Sequence, residues 1–261
     1  MNKLLAIICL NIILVALAET PTTQLQHADA AARQALSLAP SSPDAAEQWR
    51  TVCACYEGIL ASGDFSNGGI YYNLGNAYAQ LGDIPRAILN YRRAQLFLPR
   101  NRQLQANLQY VRAKRQDHFA EPEASPVLQT LFFWHYDLAF HSRLWTAAVL
   151  AAVFWLAAIV LIWHRPAWLK VAAAILLLAA LACGLSSFIS IYTLRHARPA
   201  VILATEATPR KGDGNSYAAA FDAPLHAGTE VTILRTRGAW HEIALPNHLT
   251  GWLPESDLQA L

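Results

Sequence analysis

Apolar side chains form two long uninterrupted runs near the middle of the chain. The first covers residues 144–163 and the second covers residues 171–194, and neither contains an acidic or basic side chain. About 20 apolar residues of helix suffice to cross the hydrocarbon core of a bilayer, whereas buried helices of soluble proteins are usually shorter and keep a polar stripe. The pattern therefore predicts two transmembrane helices. Because only residues 164–170 separate them, we expect a tight hairpin whose two flanking parts share one compartment.

A third apolar run lies at the beginning of the chain. Residues 1–18 contain Lys3, an apolar stretch and the small residues Ala16 and Ala18, in the order found in secretory signal peptides. The alternative is an uncleaved anchor helix, although the run is short for a span. Export would place the parts before residue 143 and after residue 195 outside the cytoplasm.

Helical periodicity dominates residues 22–116, and the stretch 68–101 has the spacing of a 34-residue tetratricopeptide repeat (TPR). The matching positions are Tyr71, Leu74, Gly75, Tyr78, Gly82-Asp83, Ala87, Tyr91, Ala94 and Pro99. Upstream, Val52, Tyr56 and Ile59 repeat part of this spacing; downstream, Leu104, Leu108 and Val111 share one face of a helix. One repeat cannot bury its faces alone, so we predict a small TPR solenoid with a degenerate preceding repeat and a capping helix.

The concave groove of such a solenoid gives four candidate binding residues, Tyr72, Asn76, Asn107 and Tyr110. Asn76 and Asn107 fall where repeats that grip peptide C-termini often carry asparagine. Those clamps also need lysine or arginine, and Tyr72 occupies one such position, which argues against a carboxylate clamp. A cap or a hydrogen bond between helices is the expected role of Asn107.

The last part of the chain, residues 199–261, changes to period-two alternation interrupted by turn residues, as in 228–235. Five short strands in about 60 residues indicate a small all-β barrel, and their order resembles the bacterial SH3-like domain. Its groove candidates are Tyr217, Trp240 and Trp252. Aromatic side chains serve cores and binding grooves alike, so both roles stay open for the two tryptophans.

Composition and charge exclude several function classes. A net charge of +2 gives no sign of nucleic-acid binding, and the four cysteines show neither a disulfide framework nor zinc spacing. We find no nucleotide-binding motif and no paired catalytic groups at meaningful spacing, so we expect no enzyme activity, cofactor or metal. A local basic cluster is expected to solvate an outer helix face; it comprises Arg92, Arg93, Arg100, Arg102, Arg112, Lys114 and Arg115.

The order of these segments resembles the BatE group of the Bacteroides aerotolerance (Bat) proteins. The most specific parts are residues 71–117, the segment Phe133-Trp134-His135-Tyr136 and the run Arg143-Leu144-Trp145. The resemblance implies a membrane-anchored, non-catalytic component that works beside von Willebrand factor A-domain membrane proteins and a MoxR-type ATPase. It also implies a role in stress tolerance or envelope maintenance.

Together these observations predict a multidomain α plus β membrane protein of the bacterial inner membrane, with its TPR and SH3-like parts in the periplasm. The predicted segments are a signal peptide (1–18), a helical domain (22–116), a linker with an interfacial aromatic segment (117–143), the two spans and the SH3-like domain (199–261). The leading hypothesis is a scaffold for protein–protein interaction. The alternative is a sensor or anchor that binds peptidoglycan through the SH3-like domain.

Overall fold

The computed structural model describes residues 21–39, 42–63, 67–119, 131–164, 166–196 and 198–261. The predicted signal peptide lies outside the described residues. The fold combines helices with antiparallel sheet, and the chain divides between Asp83 and Ile84 into two compact units. This division falls inside the predicted repeat 68–101, and the two units are described separately below.

The first unit contains three helices, α1 (Pro21–Ser37), α2 (Pro43–Ser62) and α3 (Gly68–Gln80). The Ser42 side chain caps α2 by accepting a hydrogen bond of 3.1 Å from the amide of Ala45. At its other end, α2 stops at Gly63, whose φ of 76° is the left-handed conformation that glycine adopts without strain.

The apolar face predicted for α2 is buried in this first unit. Val52, Tyr56 and Ile59 are at most 3% exposed. Asn73 of α3 donates a hydrogen bond of 3.2 Å to the hydroxyl of Tyr56, and the hydroxyl of Tyr78 donates to the carboxylate of Glu57. The contacts between α2 and α3 thus combine apolar burial with two side-chain hydrogen bonds.

The second unit begins with α4 (Ile84–Phe97) and α5 (Arg102–Arg112) and continues with a single-turn helix α6 (Phe133–Tyr136). Asn101 caps α5 by accepting a hydrogen bond of 3.0 Å from the amide of Leu104. The face predicted for α5 is buried, because Leu104, Leu108 and Val111 are all at most 2% exposed.

Two long apolar helices follow, α7 (Phe140–Trp163) and α8 (Ala167–His196), and they pack against each other. They contain the two predicted spans and are long and apolar enough to cross a membrane. Most of their apolar side chains are exposed, including Trp145 at 73% and Trp155 at 65%.

The remaining chain forms β1 (Arg198–Ile202), β2 (Glu206–Ala207), β3 (Leu225–His226), β4 (Glu230–Arg237), β5 (Trp240–Ala244), β6 (Thr250–Pro254) and β7 (Leu258–Ala260). Five strands make an antiparallel sheet in the order β6-β5-β4-β1-β7, and β2 pairs with β3. Its buried core comprises Ala200, Ile202, Ala207, Leu225, Val231, Ile233, Ile243, Leu245, Leu253 and Leu258. The change to β-structure predicted for residues 199–261 is therefore confirmed, but the structure has seven strands where five were predicted.

The predicted barrel is not confirmed: the sheet is not closed, because no ladder joins β6 to β7. The physical reason lies at the outer edge of β6. The backbone of Trp252 exchanges two hydrogen bonds, of 2.8 and 2.9 Å, with the backbone of Arg210. Since this exchange occupies the edge groups of Trp252 that would continue a ladder, the sheet is left open between its two edge strands.

Candidate functional site

The most elaborate polar site of the second unit joins the sheet to helices α4 and α5. It is built on residues 226–230, here called the docking turn, which runs from the end of β3 to the start of β4. Its Glu230 carboxylate is 13% exposed and accepts two hydrogen bonds from Arg112, at 2.7 and 2.8 Å. Arg92 and Arg115 lie 3.1 and 3.3 Å from the same carboxylate. A paired guanidinium–carboxylate contact of this geometry fixes orientation as well as charge.

Part of the basic cluster is therefore not a solvated face, contrary to the sequence expectation, whereas Arg100, Arg102 and Lys114 are exposed as expected. Arg92, Arg112 and Arg115 converge on Glu230, while Arg93 donates to the carbonyl of Ala260 at 2.7 Å. Sequence reasoning missed this site because Glu230 lies 115 residues from Arg115 and looks like an ordinary charge beside a turn.

The other end of the docking turn is held by Asp117, which follows α5. One carboxylate oxygen accepts from the amide of His226 at 2.7 Å and from the hydroxyl of Thr229 at 2.6 Å, and the other lies 2.8 Å from Nδ1 of His226. Burial acts to raise the pKa of Asp117, but these hydrogen bonds outweigh it and hold that pKa below its ordinary value of 3.8. Asp117 was predicted to begin a linker, yet it is fixed against the sheet.

Two further contacts close this junction. Gly228 has a φ of 88°, and a Cβ added there would lie 3.3 Å from Cδ1 of Ile88 in α4. Glycine therefore suits position 228 for two reasons: it adopts the left-handed backbone conformation without strain, and it lacks the Cβ that would crowd α4. Phe119, two residues after Asp117, packs against the core of the sheet.

We expect Asp117→Asn to destabilise the second unit by about 1–2 kcal/mol at neutral pH, because the amide replaces a charged acceptor of three hydrogen bonds. The depressed pKa gives the sign of the pH dependence: the stabilisation is present above pH 3.8, the ordinary pKa, and is lost as the pH falls through the lower pKa of the folded protein. Thermal unfolding of the full chain in detergent at a series of pH values measures both effects.

The control for this prediction is Asp222→Asn, which changes an exposed aspartate of the same region. The difference in melting temperature between wild type and Asp117→Asn shrinks in acid, whereas Asp222→Asn matches wild type throughout. If the difference in melting temperature between wild type and Asp117→Asn is the same at neutral pH and at the lowest pH measured, the proposed role of the Asp117 carboxylate is contradicted.

A cavity of about 480 Å³ opens beside the docking turn. Arg92, Arg115 and Glu230 line its polar side, and its apolar side includes Phe119 and Leu234. The three guanidinium groups outnumber the two carboxylates at the docking turn, Glu230 and Asp117, so this region is positive. Its chemistry suits a peptide segment that carries both acidic and apolar side chains.

A second polar cluster lies where α6 meets the two apolar helices. Arg143 of α7 is 5% exposed and donates hydrogen bonds to the hydroxyls of Ser186 and Ser190 of α8, at 2.8 and 2.9 Å, and to Nδ1 of His135 at 3.0 Å. Burial, and then the charge of Arg143, lower the pKa of His135. The ring is accordingly neutral at physiological pH, and the hydrogen-bond network assigns an unprotonated Nδ1 that accepts from Arg143 and Ser186.

The four predicted TPR groove residues are divided between the two compact units. Tyr72 and Asn76 lie half-buried on α3 of the first unit, and Asn107 lies half-buried on α5 of the second. Tyr110 is 61% exposed, and the ammonium of Lys114 lies 4.3 Å from the centre of its ring. Tyr110 is thus the most accessible of these candidates within its unit.

The predicted aromatic groove residues of the sheet differ in exposure. Tyr217 is 48% exposed and Trp240 is half-buried, but Trp252 is only 8% exposed. The guanidinium of Arg237 covers the ring of Trp252 at 5.4 Å. Trp252 contributes mainly to packing, which leaves Tyr217 as the accessible ring.

Comparisons of the chain with protein families, with curated proteins and with solved structures found no match. Among the described residues, no group of three or more histidine, cysteine, aspartate or glutamate side chains is placed to hold a metal ion. Within the same residues Cys53, Cys55 and Cys183 form no disulfide bond.

Proposed function

We propose that this chain is a non-catalytic, membrane-anchored scaffold of the bacterial inner membrane. The observation that carries the proposal is the docking turn, because it attaches the sheet to α4 and α5 within the same compact unit as the two apolar helices. A platform held in one orientation at a membrane binds partners with little loss of conformational freedom.

The exposure of α7 and α8 supports the membrane part of the proposal. An apolar surface of this extent is unfavourable in water and marks a membrane or protein interface. Trp145 and Trp163, both 73% exposed, are 18 residues apart on α7, which is about 27 Å along a helix. Tryptophan belts at the two interfaces of a bilayer have about this separation, so lipid is the environment that fits the pattern.

The scaffold role rests on the TPR-like and SH3-like features of the sequence together with the cavity beside the docking turn. We infer that the partners are von Willebrand factor A-domain membrane proteins working with a MoxR-type ATPase, as the resemblance to the Bat family implies. An acidic and apolar segment of such a partner complements the cavity lined by Arg92, Arg115 and Leu234. The sheet and α5 then face partners on the periplasmic side.

Co-purification of a von Willebrand A-domain protein from detergent-solubilised membranes tests this function. Leu234→Trp fills the cavity without removing a charge and is expected to reduce the recovered partner, and Tyr110→Ala does the same if the α5 surface contributes. Leu249→Trp is the control, because Leu249 is 51% exposed in the loop directly before β6 and does not line the cavity. Equal recovery with all three variants contradicts the proposal.

The alternative function, peptidoglycan binding through the sheet, uses the exposed ring of Tyr217. Sedimentation of the full detergent-solubilised chain with purified sacculi separates the two functions. The scaffold proposal expects no sedimentation above background. Sedimentation that Tyr217→Ala abolishes identifies a cell-wall anchor instead.

A further inference from the structure

Within the part of the chain that the structure describes, Arg143 is a buried charge without an acidic partner. There its guanidinium donates only to neutral groups, the hydroxyl and carbonyl of Ser186, the hydroxyl of Ser190 and the ring of His135, and its Nε makes no hydrogen bond. Among the described residues, no carboxylate lies within ion-pair distance of it; Asp137 instead pairs with Arg100 at 2.5 Å. Neutral donors and acceptors stabilise a buried cation less than an anion does, and ionisable groups inside membrane helices commonly mark functional sites.

The position of Arg143 matches the boundary of a bilayer. It lies 20 residues before Trp163 on α7, a distance of about 30 Å along a helix and about the thickness of the hydrocarbon core. If Trp163 lies at one interface, Arg143 lies at the level of the lipid head groups on the other side. Tyr136 lines a cavity together with Arg143, and Trp134 lines one together with His135; such aromatic side chains favour the head-group level.

Two cavities adjoin this cluster. The larger, of about 430 Å³, is lined by Arg143 and by apolar groups that include Phe97, Leu138 and Ile189. The smaller, of about 290 Å³, lies beside His135 and is lined by Trp134, Leu185 and Ile189. Both cavities are open and mainly apolar, and His135 and Ile189 line both. This is the lining that a phosphate attached to acyl chains requires.

We propose that the cavity beside Arg143 binds the head-group phosphate of an anionic phospholipid, with its acyl chains against the exposed apolar surface of α7 and α8. The phosphate supplies the negative charge that Ser186, Ser190 and His135 do not. A head group with net negative charge is preferred over a zwitterionic one, because the latter brings its own cation into a site that already contains one. The inference rests on the membrane location of the proposed function.

Native mass spectrometry of the full chain released from nanodiscs tests the site, with phosphatidylglycerol and phosphatidylcholine in equal amounts. We expect wild type to retain phosphatidylglycerol, and Arg143→Gln to retain about tenfold less, as the loss of one charge-assisted contact predicts. Lys170→Gln is the matched control, because Lys170 is exposed and directly precedes the second predicted span, at the opposite end of the hairpin.

A second variant keeps the test valid if Arg143→Gln does not fold. Ile189→Trp leaves Arg143 and its partners unchanged but fills the volume shared by the two cavities, and it is expected to displace the bound lipid. An excess of inorganic phosphate in the detergent buffer is expected to leave the lipid bound, because phosphate alone lacks the apolar contacts; displacement by phosphate identifies a site for the free anion instead.

Two results overturn the inference. Retention of phosphatidylglycerol at the wild-type level by both Arg143→Gln and Ile189→Trp excludes this site. A dimer that depends on Arg143 and carries no lipid assigns the cluster to a second copy of the chain. Extraction of the wild-type protein from membranes without detergent is a separate outcome, because it contradicts the proposed membrane location itself.

Discussion

Glu230→Gln is expected to lower the stability of the second unit by about 3 kcal/mol, because it leaves three guanidinium groups around an uncharged amide in a mostly buried site. This loss is at the lower end of the range expected when a buried ion pair is broken, because Arg92 is still 30% exposed and water partly screens its charge. For a domain of this size the corresponding fall in melting temperature is about 6–12 °C. Thermal unfolding of the full chain in detergent, followed by tryptophan fluorescence, measures it.

The matched control is Glu242→Gln on the same sheet. Glu242 also pairs with an arginine, but its partner Arg235 is 68% exposed. Removing one member of an exposed pair changes stability little. Similar melting temperatures for the two variants would falsify the assignment of Glu230 as the centre of the junction.

Leu156→Arg is expected to reduce membrane insertion of α7 about 100-fold, because an arginine near the centre of a span costs about 2.5–3.5 kcal/mol where leucine is favourable. In water the same side chain, which is 64% exposed, would tolerate the change with an effect within about 0.5 kcal/mol. The substitution therefore separates a lipid-facing helix from a solvent-exposed one. The measurement is the fraction of newly synthesised chain that resists alkaline extraction from membrane vesicles.

Leu36→Arg controls for the chemical change alone. Leu36 is 71% exposed on α1, outside both apolar helices, so an arginine there faces water whether or not α7 lies in lipid. Unchanged extraction resistance for Leu156→Arg argues that α7 does not cross a bilayer.

Elements defined by local periodicity could be predicted from the sequence. The apolar faces of α2 and α5, both long apolar helices and the alternation of β4 each arise from side chains that are neighbours in sequence. Burial at Val52 or Leu108 follows from such spacing without knowledge of the rest of the chain. The same reasoning could not decide whether the sheet closes, because closure depends on the pairing of Trp252 with Arg210, 42 residues earlier.

The polar sites could not be predicted because their members are far apart in sequence. Arg112 and Glu230 are separated by 118 residues, and Asp117 and Thr229 by 112. A basic helix face has the same sequence pattern whether it is solvated or paired. One local signal did exist at the polar cluster around Arg143: Ser186 and Ser190 are one helical turn apart in a mostly apolar helix, which places both hydroxyls on one face.

The docking turn and the helices that it contacts are far apart in the chain, and this separation imposes an order on the synthesis and folding of the protein. Residues 84–119 leave the ribosome more than 100 residues before Glu230 does, so Arg92, Arg112 and Arg115 cannot contact the Glu230 carboxylate during that interval. Helices α7 and α8 are synthesised in between, and the sheet can only be added once both are complete. A nascent chain arrested before residue 230 therefore lacks the junction between the sheet and α4 and α5, and truncated products of this protein should be short-lived in the cell.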